Sequence, residues 1–460
     1  MRKIISALSF FVLLIPATLV AQDTVQVSLQ SFIERGVENS GQIEFEKQKV
    51  SLAENKIDQA QSQRYLPQFN LSTQHGIVPG VVSQTNRPED EYYLDPDLEN
   101  DWENWAIFTR AEVNAVQPIF SWGALKNAVK AAKSSAIAAQ KQFEGQKADI
   151  RLRLFELYQS YLLTNEILTL LDEAKNQIDK IEQKIKEQQE EGDTDVDESD
   201  LFKFQIFKSE FDIRAEEVRE EAAMTQRIWN YVLNADDNTV YVPDTNFLDP
   251  VEEELKELNY YRSYALQNRA EINAIEAGID AAEYGLQAQK QKNYPTLFIG
   301  LSGSFANTPN RPRQSNPFII NNSNYLSGSF GLGIRQNLDF LSIRADVEKG
   351  QIQQRQAKYL KEAAVDGIVL EINQAYKETS LSKVKVDKTD EAHVISKKWL
   401  RQEQLDYDFG MGETKDLIDA MKKELELRVK LKRETFDYNK NIANLYRKTG
   451  MSILDLKNKN

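Results

Sequence analysis

Arg64-Tyr65-Leu66-Pro67 and Lys292-Asn293-Tyr294-Pro295 are the stretches whose reading decides the fold. Each closes a helix-forming segment and opens a run in which apolar and polar residues alternate. Proline breaks helix interiors and gathers at turns and strand edges. Apart from Pro16, the prolines fall in three clusters: Pro67 to Pro118, Pro243 with Pro250, and Pro295 to Pro317. Between them lie proline-free segments rich in Ala, Glu, Lys, Gln and Leu, all good helix formers.

The echo extends further. Gln117-Pro118-Ile119-Phe120-Ser121 corresponds to Gln336-Asn337-Leu338-Asp339-Phe340-Leu341-Ser342, and Phe155-Glu156-Leu157-Tyr158 more weakly to Asn373-Gln374-Ala375-Tyr376. Gly192 matches the pair Gly410 and Gly412, far down the helical segments. The chain therefore reads as an internal duplication. A first repeat spans 22–233 (helices 28–63, 124–191 and 199–233; strands about 66–75 and 105–118). A linker over 234–252 follows, then a second repeat over 253–450 (helices 255–293, 343–409 and 414–449; strands about 295–306 and 325–338) and a tail over 451–460. Pro67 and Pro295 mark strand entry.

In the alternating stretches, Leu297, Ile299, Leu301 and Phe305 oppose Thr296, Ser302 and Ser304, while Leu326, Phe330, Leu332 and Ile334 oppose Ser327, Ser329 and Arg335. The first half repeats this with Ile107, Ala111, Val113 and Ala115 against Arg110, Glu112 and Asn114, and with Phe69 and Leu71 against Asn70 and Ser72. A period of two over roughly 9–11 residues fits strands facing lipid on one side and water on the other, and each segment alone would also fit a half-buried strand of a soluble sandwich; four matched strands in an exported chain favour the barrel. Trp102, Trp105, Tyr92, Tyr93, Phe305 and Tyr325 are candidates for an interfacial aromatic belt. Four strands do not close a membrane barrel, and an open edge in lipid leaves backbone groups unpaired. The barrel must be shared between chains, and periodicity alone does not choose between two, three or more.

From Ala124 to Glu191, and again from Ile343 to Phe409, the chain runs without proline. Helices of that length reach on the order of 100 Å. Leu154, Leu157, Tyr161, Leu168, Leu171, Ile178 and Ile185 keep three-four spacing, as in a coiled-coil seam. So narrow an apolar stripe suits lateral packing against other helices in water.

The first residues, Met1-Arg2-Lys3 followed by an apolar stretch and Val20-Ala21-Gln22, read as a secretory signal peptide over 1–21. Its removal takes the formal charge from −14 to −16, which argues against nucleic acid as a partner. After residue 21 no run of about 18 apolar residues is present, so a membrane-spanning exported chain has to do so as a barrel. There is no cysteine, hence neither a disulfide nor a lipid-modified cysteine.

His75 and His393 are the two histidines, and neither has a metal-ligand companion at suitable spacing. With no cysteine and no phosphate-cradling glycine loop, the reading is of a non-enzyme without metal or cofactor. Asp416 and Asp419, three residues apart, share one side of a helix. The acidic, aromatic stretch from Glu89 to Trp105 is expected to form an external loop, and the second loop carries Arg311 and Arg313, of opposite charge, though sequence alone does not show whether the two pair.

The chain resembles the outer-membrane efflux protein family, the TolC-like channels, over essentially its whole mature length. The resemblance is carried by Ala53 to Pro67, Leu266-Gln267-Asn268-Arg269-Ala270-Glu271-Ile272, the Tyr294-Pro295 strand entry and, above all, the segment from Tyr407 to Ala420 containing Phe409-Gly410-Met411-Gly412. It implies a mainly α protein with a membrane β-barrel, a homotrimer whose protomers supply four strands each to a twelve-stranded barrel and whose helices form a twelve-helix periplasmic tunnel. It implies an outer-membrane exit channel working with a periplasmic adaptor and an inner-membrane transporter. It also places Asp416, Asp419, Tyr407 and an aspartate best matched by Asp200 at the constricted periplasmic entrance, with the turns at Gly192, Gly410 and Gly412 meeting the adaptor. The family's best-known member has arginine where this chain has Gly412, and the acidic run Asp193 to Glu198 departs from the usual turn, so closure is expected to use other contacts. Two rival readings share some of these features. A periplasmic adaptor would have a single helical hairpin and β-rich domains. A trimeric coiled-coil adhesin would lack repeated strands within the chain.

Overall fold

A computed structural model of the chain describes residues 23–82, 97–190, 198–236, 239–311, 318, 321–409 and 411–456. The expected signal peptide, Tyr92, Tyr93, Gly192, the acidic run through Asp197, Arg313 and Gly410 lie outside the described residues. The elements run β1 (Asp23–Val27), α1 (Leu29–Glu38), α2 (Gly41–Tyr65), β2 (Gln68–Val82), β3 (Glu99–Phe120), α3 (Ala124–Glu190) and α4 (Glu198–Val232). After β4 (Thr239–Pro243) come α5 (Leu258–Asn268), α6 (Ala270–Gln291), β5 (Thr296–Asn307), β6 (Tyr325–Arg335), α7 (Phe340–Asp408) and α8 (Thr414–Thr449), then a short 3-10 turn at Ile453–Asp455. The chain forms two compact units, each drawing on both halves of the repeat: one from Glu44–Gln146 and Leu266–Val369, the other from Met1–Ile43, Lys147–Ala265 and Leu370–Asn460.

The first unit contains a four-stranded antiparallel sheet in the order β2-β3-β5-β6, so the two hairpins meet through β3 and β5. Register turns the sequence alternation into rows. Phe69, Ala115, Leu301 and Phe330 lie across one face, and Asn70, Asn114, Ser302 and Ser329 across the other. On the polar face Ser302 bonds Ser329 at 2.6 Å and Ser304 bonds Ser327 at 3.1 Å. The strands of the first hairpin outrun the expected 66–75 and 105–118, because pairing continues past irregularities at Pro79/Gly80 and Pro118/Phe120. Proline has no N–H to donate, so it sits where the ladder shifts.

Two bonds recur with the repeat: Gln117 Nε2 donates to Arg64 O at 3.2 Å, and Gln336 Nε2 donates to Asn293 O at 3.4 Å. Each ties the end of a second strand to the end of the helix that feeds the first. Asn127 Nδ2 donates to Gln291 Oε1 at 2.8 Å, and Lys361 pairs with Glu276 at 2.7 Å, bracing the helices of this unit.

In the second unit α3, α4 and α8 share a seam. Ile167, Leu171, Ala174, Ile178 and Ile185 on α3 pack with Phe204, Phe207, Phe211, Ala215 and Val218 on α4 and with Ile418 and Met421 on α8. Of the expected seam, Leu154, Leu171, Ile178 and Ile185 are buried, Leu168 packs against the cluster, and Leu157 and Tyr161 are half-buried. Trp229 is wholly buried between Phe32 and Tyr161, with ring centroids 4.2 and 4.5 Å away, and Tyr158 adjoins it. Tyr158 Oη donates to Asp244 at 2.8 Å. Burial and that carboxylate push the phenol's ionisation far above its ordinary range. Asn439 accepts from Val251 N at 2.8 Å and donates to Gln159 and Asp249 O, pinning the chain before α5 onto α8.

Three boundaries differ from the sequence reading. The helix expected over 28–63 breaks at Asn39 and Ser40, where Asn39 Nδ2 donates to Val232 O at 3.1 Å and Ser40 Oγ accepts from Ile43 N at 3.4 Å. Short polar side chains compete with the helix for backbone groups. The helix expected over 255–293 begins at Leu258 and breaks at Arg269, in the equivalent place of the second half. The linker over 234–252 contains β4, whose Thr-Val-Tyr-Val pairs in parallel with β1. Beta-branched and aromatic residues suit that role, but the partner strand begins 216 residues earlier (Asp23 against Thr239) and no local signal reveals it.

Candidate functional site

Two surfaces stand out, one in each unit. The first is the apolar face of the sheet. Phe69, Leu71, Ile77, Ile107, Leu301, Leu326 and Ile334 are exposed, with Phe330 at 73% and Leu332 at 70%. A continuous apolar face of this kind marks a binding or membrane surface. Aromatic residues border it at both ends. Trp102 and Trp105 lie at the loop end, ring centroids 5.9 Å apart, as the sequence suggests. At the helix end Trp122 meets Phe120 edge-on with ring centroids 5.0 Å apart and the tilted ring of Tyr294 at 5.5 Å, and its Nε1 donates to Pro295 O at 2.9 Å. This second belt is missed by the strand reading because Trp122 lies just beyond the alternating run. β2 and β6 are the outer strands of the sheet, and each has one side without a strand partner among the described residues.

The second surface is the turn between α7 and α8. Phe409 N donates to Leu405 O at 3.0 Å, and both Met411 N (2.8 Å) and Gly412 N (3.0 Å) converge on Asp406 O. The chain thus doubles back on the last helical turn. A Cβ on Gly412 would lie 2.8 Å from Tyr407 N and 3.0 Å from Asp406 C, both backbone atoms, so this turn has room only for glycine. Phe409 and Met411 project from it, both exposed.

Asp416 and Asp419 stand on the exposed side of the first turns of α8, while Leu417, Ile418, Ala420 and Met421 are buried behind them. Asp416 suits the positive end of the helix dipole. Tyr407, at the end of α7, is 8% exposed, and Lys184 Nζ of α3 stands 6.0 Å from its ring centroid. The same lysine pairs with Asp408 at 2.6 Å. Lys184 had no sequence signal: it is one lysine among many on a charged face. Asp200 lies in the first turn of α4, with only its backbone described, and Gly192 and Gly410 fall outside the described residues. Pro67 and Pro295 immediately precede β2 and β5. Arg311 donates to Pro79 O through Nε and a terminal nitrogen at 3.3 and 3.2 Å, and the acidic residues over 89–96 lie outside the described residues.

Helical faces also carry unburied apolar stripes. Phe202, Ile206, Ile213, Met224 and Tyr231 are exposed along α4, within a sector of about 40° at 100° per residue. Leu370, Leu381, Val384, Ile395 and Trp399 are exposed along α7 within a sector of about 60°. His75 Nδ1 bonds Thr109 Oγ1 at 3.1 Å and His393 Nε2 lies 3.3 Å from Glu424, and no metal-ligand cluster is found among the described residues.

Duplicated hairpins in one sheet, an apolar sheet face between aromatic borders and long coiled-coil helices together define a protomer of an outer-membrane channel. The sequence profile described as outer membrane efflux protein matches residues 33–198 and 262–451, and the chain belongs to that family. It is an outer-membrane efflux channel. Its fold is similar to a membrane protein from Pseudomonas aeruginosa (TM-score 0.73, 14% identity, 94% of this chain and 92% of that one) and to CusC (0.72, 15%, 93% and 93%). The open state of the Neisseria gonorrhoeae MtrE outer membrane channel is also similar (0.72, 13%, 92% and 89%). No curated protein sequence matches the chain.

Proposed function

We propose that the chain is one of three identical protomers of the exit duct in a tripartite efflux or type I secretion assembly. It would conduct substrates passively from an inner-membrane transporter and a periplasmic adaptor through the outer membrane. The observation that carries this reading is a four-stranded sheet with an exposed apolar face and two edge strands that each lack a strand partner on one side among the described residues. In lipid such edges are costly until another strand pairs with them, so β2 of one protomer meets β6 of the next. The exposed stripes on α4 and α7 supply the matching helix contacts, giving twelve strands and a helical tunnel in the periplasm.

The helix turns face the partners in this reading. The turns at Gly192 and at Gly410 to Gly412 dock the adaptor's helical hairpins, and Phe409 and Met411 supply apolar contact. Asp416 and Asp419, with Asp200 and Tyr407, line the periplasmic entrance. A threefold axis makes each aspartate a ring that favours cations.

Because the chain lacks cysteine, introduced pairs report cleanly. Cysteines at Ser72 on β2 and, in a short scan, at Ser327, Ser329 or Gly331 on β6 should yield trimer ladders in outer-membrane fractions. The proposal is contradicted if no position in the scan links two chains. Replacing Asp416 and Asp419 together by alanine should reduce cation preference in single-channel recordings, and unchanged preference would place the gate elsewhere.

A further inference from the structure

At the end of the sheet away from the helices, the first residues after β5 fold back over the polar face of β2 and β3. Asn310 Nδ2 donates to Asn104 O at 2.6 Å and to Val78 O at 3.4 Å, and Val81 N donates to Asn310 O at 3.4 Å. Arg311 grips Pro79 O, as described, and reaches Ser323 Oγ at 3.4 Å. Asn324 Nδ2 holds Thr308 O and Arg311 O at 3.2 and 3.0 Å, and Asn324 Oδ1 accepts from Thr308 N at 2.7 Å. The segment is therefore bolted to the first hairpin at its Pro79/Gly80 irregularity.

Beneath it lies a cavity of about 150 Å³ bordered by Phe108, Arg110, Thr308, Arg311 and Ser323 among others. Arg110 is opposite Gln74 and Ala306 in register, on the polar face of the sheet. Its Nε is buried and has no hydrogen-bond partner among the described residues. Glu112 is the nearest carboxylate along the same face of β3, opposite Ser72 and Ser304, and no ion pair joins it to Arg110 among the described residues. Two guanidinium groups beside one small cavity, one of them with a buried donor unused, stand out in a chain of formal charge −14.

We propose that this cavity binds the oxyanion group, phosphate or carboxylate in type, of a solute in the outer part of the channel. The volume suits one such group with water. Arg110 supplies a planar fork of donors to it, Ser323 and Thr308 border it with hydroxyls, and Arg311 adds charge while holding the wall. The position in the lumen rests on the channel reading above, in which the apolar face meets lipid and the polar face meets water. Repeated around the pore, the site forms a cationic ring near the exit, opposite in sign to the aspartates proposed at the entrance.

Inorganic phosphate is the probe, titrated at constant ionic strength against the purified oligomer in detergent and, separately, in planar bilayers. Calorimetry should give one site per chain, with affinity about tenfold weaker or more in Arg110→Gln and partly regained in Arg110→Lys. Phosphate should lower the single-channel current of the unmodified protein and spare that of Arg110→Gln. Equal phosphate affinity in all three proteins, or none in any, overturns the site, and Arg110→Lys keeps the comparison open should the glutamine variant fail to assemble. Arg110-dependent binding without any effect on current overturns the luminal position, and with it the assignment of the two sheet faces, while cross-linking between β2 and β6 would still report on assembly independently.

Discussion

The two strand-to-helix junctions do the same job with different chemistry. β3 passes into α3 through Ser121-Trp122-Gly123, where Trp122 has φ 52 and Gly123 has φ 93. β6 passes into α7 through Asn337-Leu338-Asp339, where Asp339 N donates to Asn337 Oδ1 at 3.0 Å and Asp339 Oδ1 accepts from Ser342 N at 3.2 Å. The first junction stores backbone strain of about 1–2 kcal/mol at a non-glycine left-handed residue. It is held there by the indole, whose hydrogen bond ends on Pro295 of the other half. The second junction uses polar side chains to satisfy its own backbone and needs no such anchor. Duplication has kept the destination of the chain and let the local solution diverge.

Breaking the anchored junction should have the larger effect. Trp122→Ala removes the indole hydrogen bond and two aromatic contacts while leaving the strained φ in place. A loss of about 2–3 kcal/mol follows from those terms, measured as a lower denaturant midpoint of the reconstituted protein. Trp122→Asn should recover part of it, since asparagine tolerates the left-handed region. If alanine costs no more at 122 than at an exposed strand position, the indole is not what holds the turn.

Asp339→Ala tests the other junction, where only a helix-start bond is lost. About 1 kcal/mol is expected, on the same readout. A cost equal to that of Trp122→Ala would mean that the two junctions are equally anchored and erase the contrast.

The smallest effect belongs to the pair that the repeat does conserve. Gln117→Ala and Gln336→Ala each remove one side-chain bond to a helix-ending carbonyl, and each should cost about 1 kcal/mol or less. Their effects should also match closely. Any difference beyond that range shows that the halves have diverged here too.

These contrasts mark how far the sequence could be read. The alternation from Phe69 to Leu71 and from Leu297 to Phe305 reveals the strands because side-chain direction has a period of two. The seam through Leu171, Ile178 and Ile185 is legible for the analogous reason in helices. What escaped depends on distant partners. β4 pairs with a strand more than two hundred residues away, and Lys184 matters only because α7 brings Asp408 to it. At the candidate entrance, Asp416 and Asp419 are legible as one helical face, whereas the reason for glycine at 412 emerges only from the backbone of Tyr407 beside it. The bond from Arg311 to Pro79 O was likewise hidden, because it depends on a backbone carbonyl 232 residues away.

The central claim is that this protomer is an unclosed part of a shared barrel. Native mass measurement of the detergent-solubilised protein tests it most directly. The account predicts a species of three chains that loses its folded sheet when the chains separate, whereas a stable, folded monomer carrying detergent would contradict it.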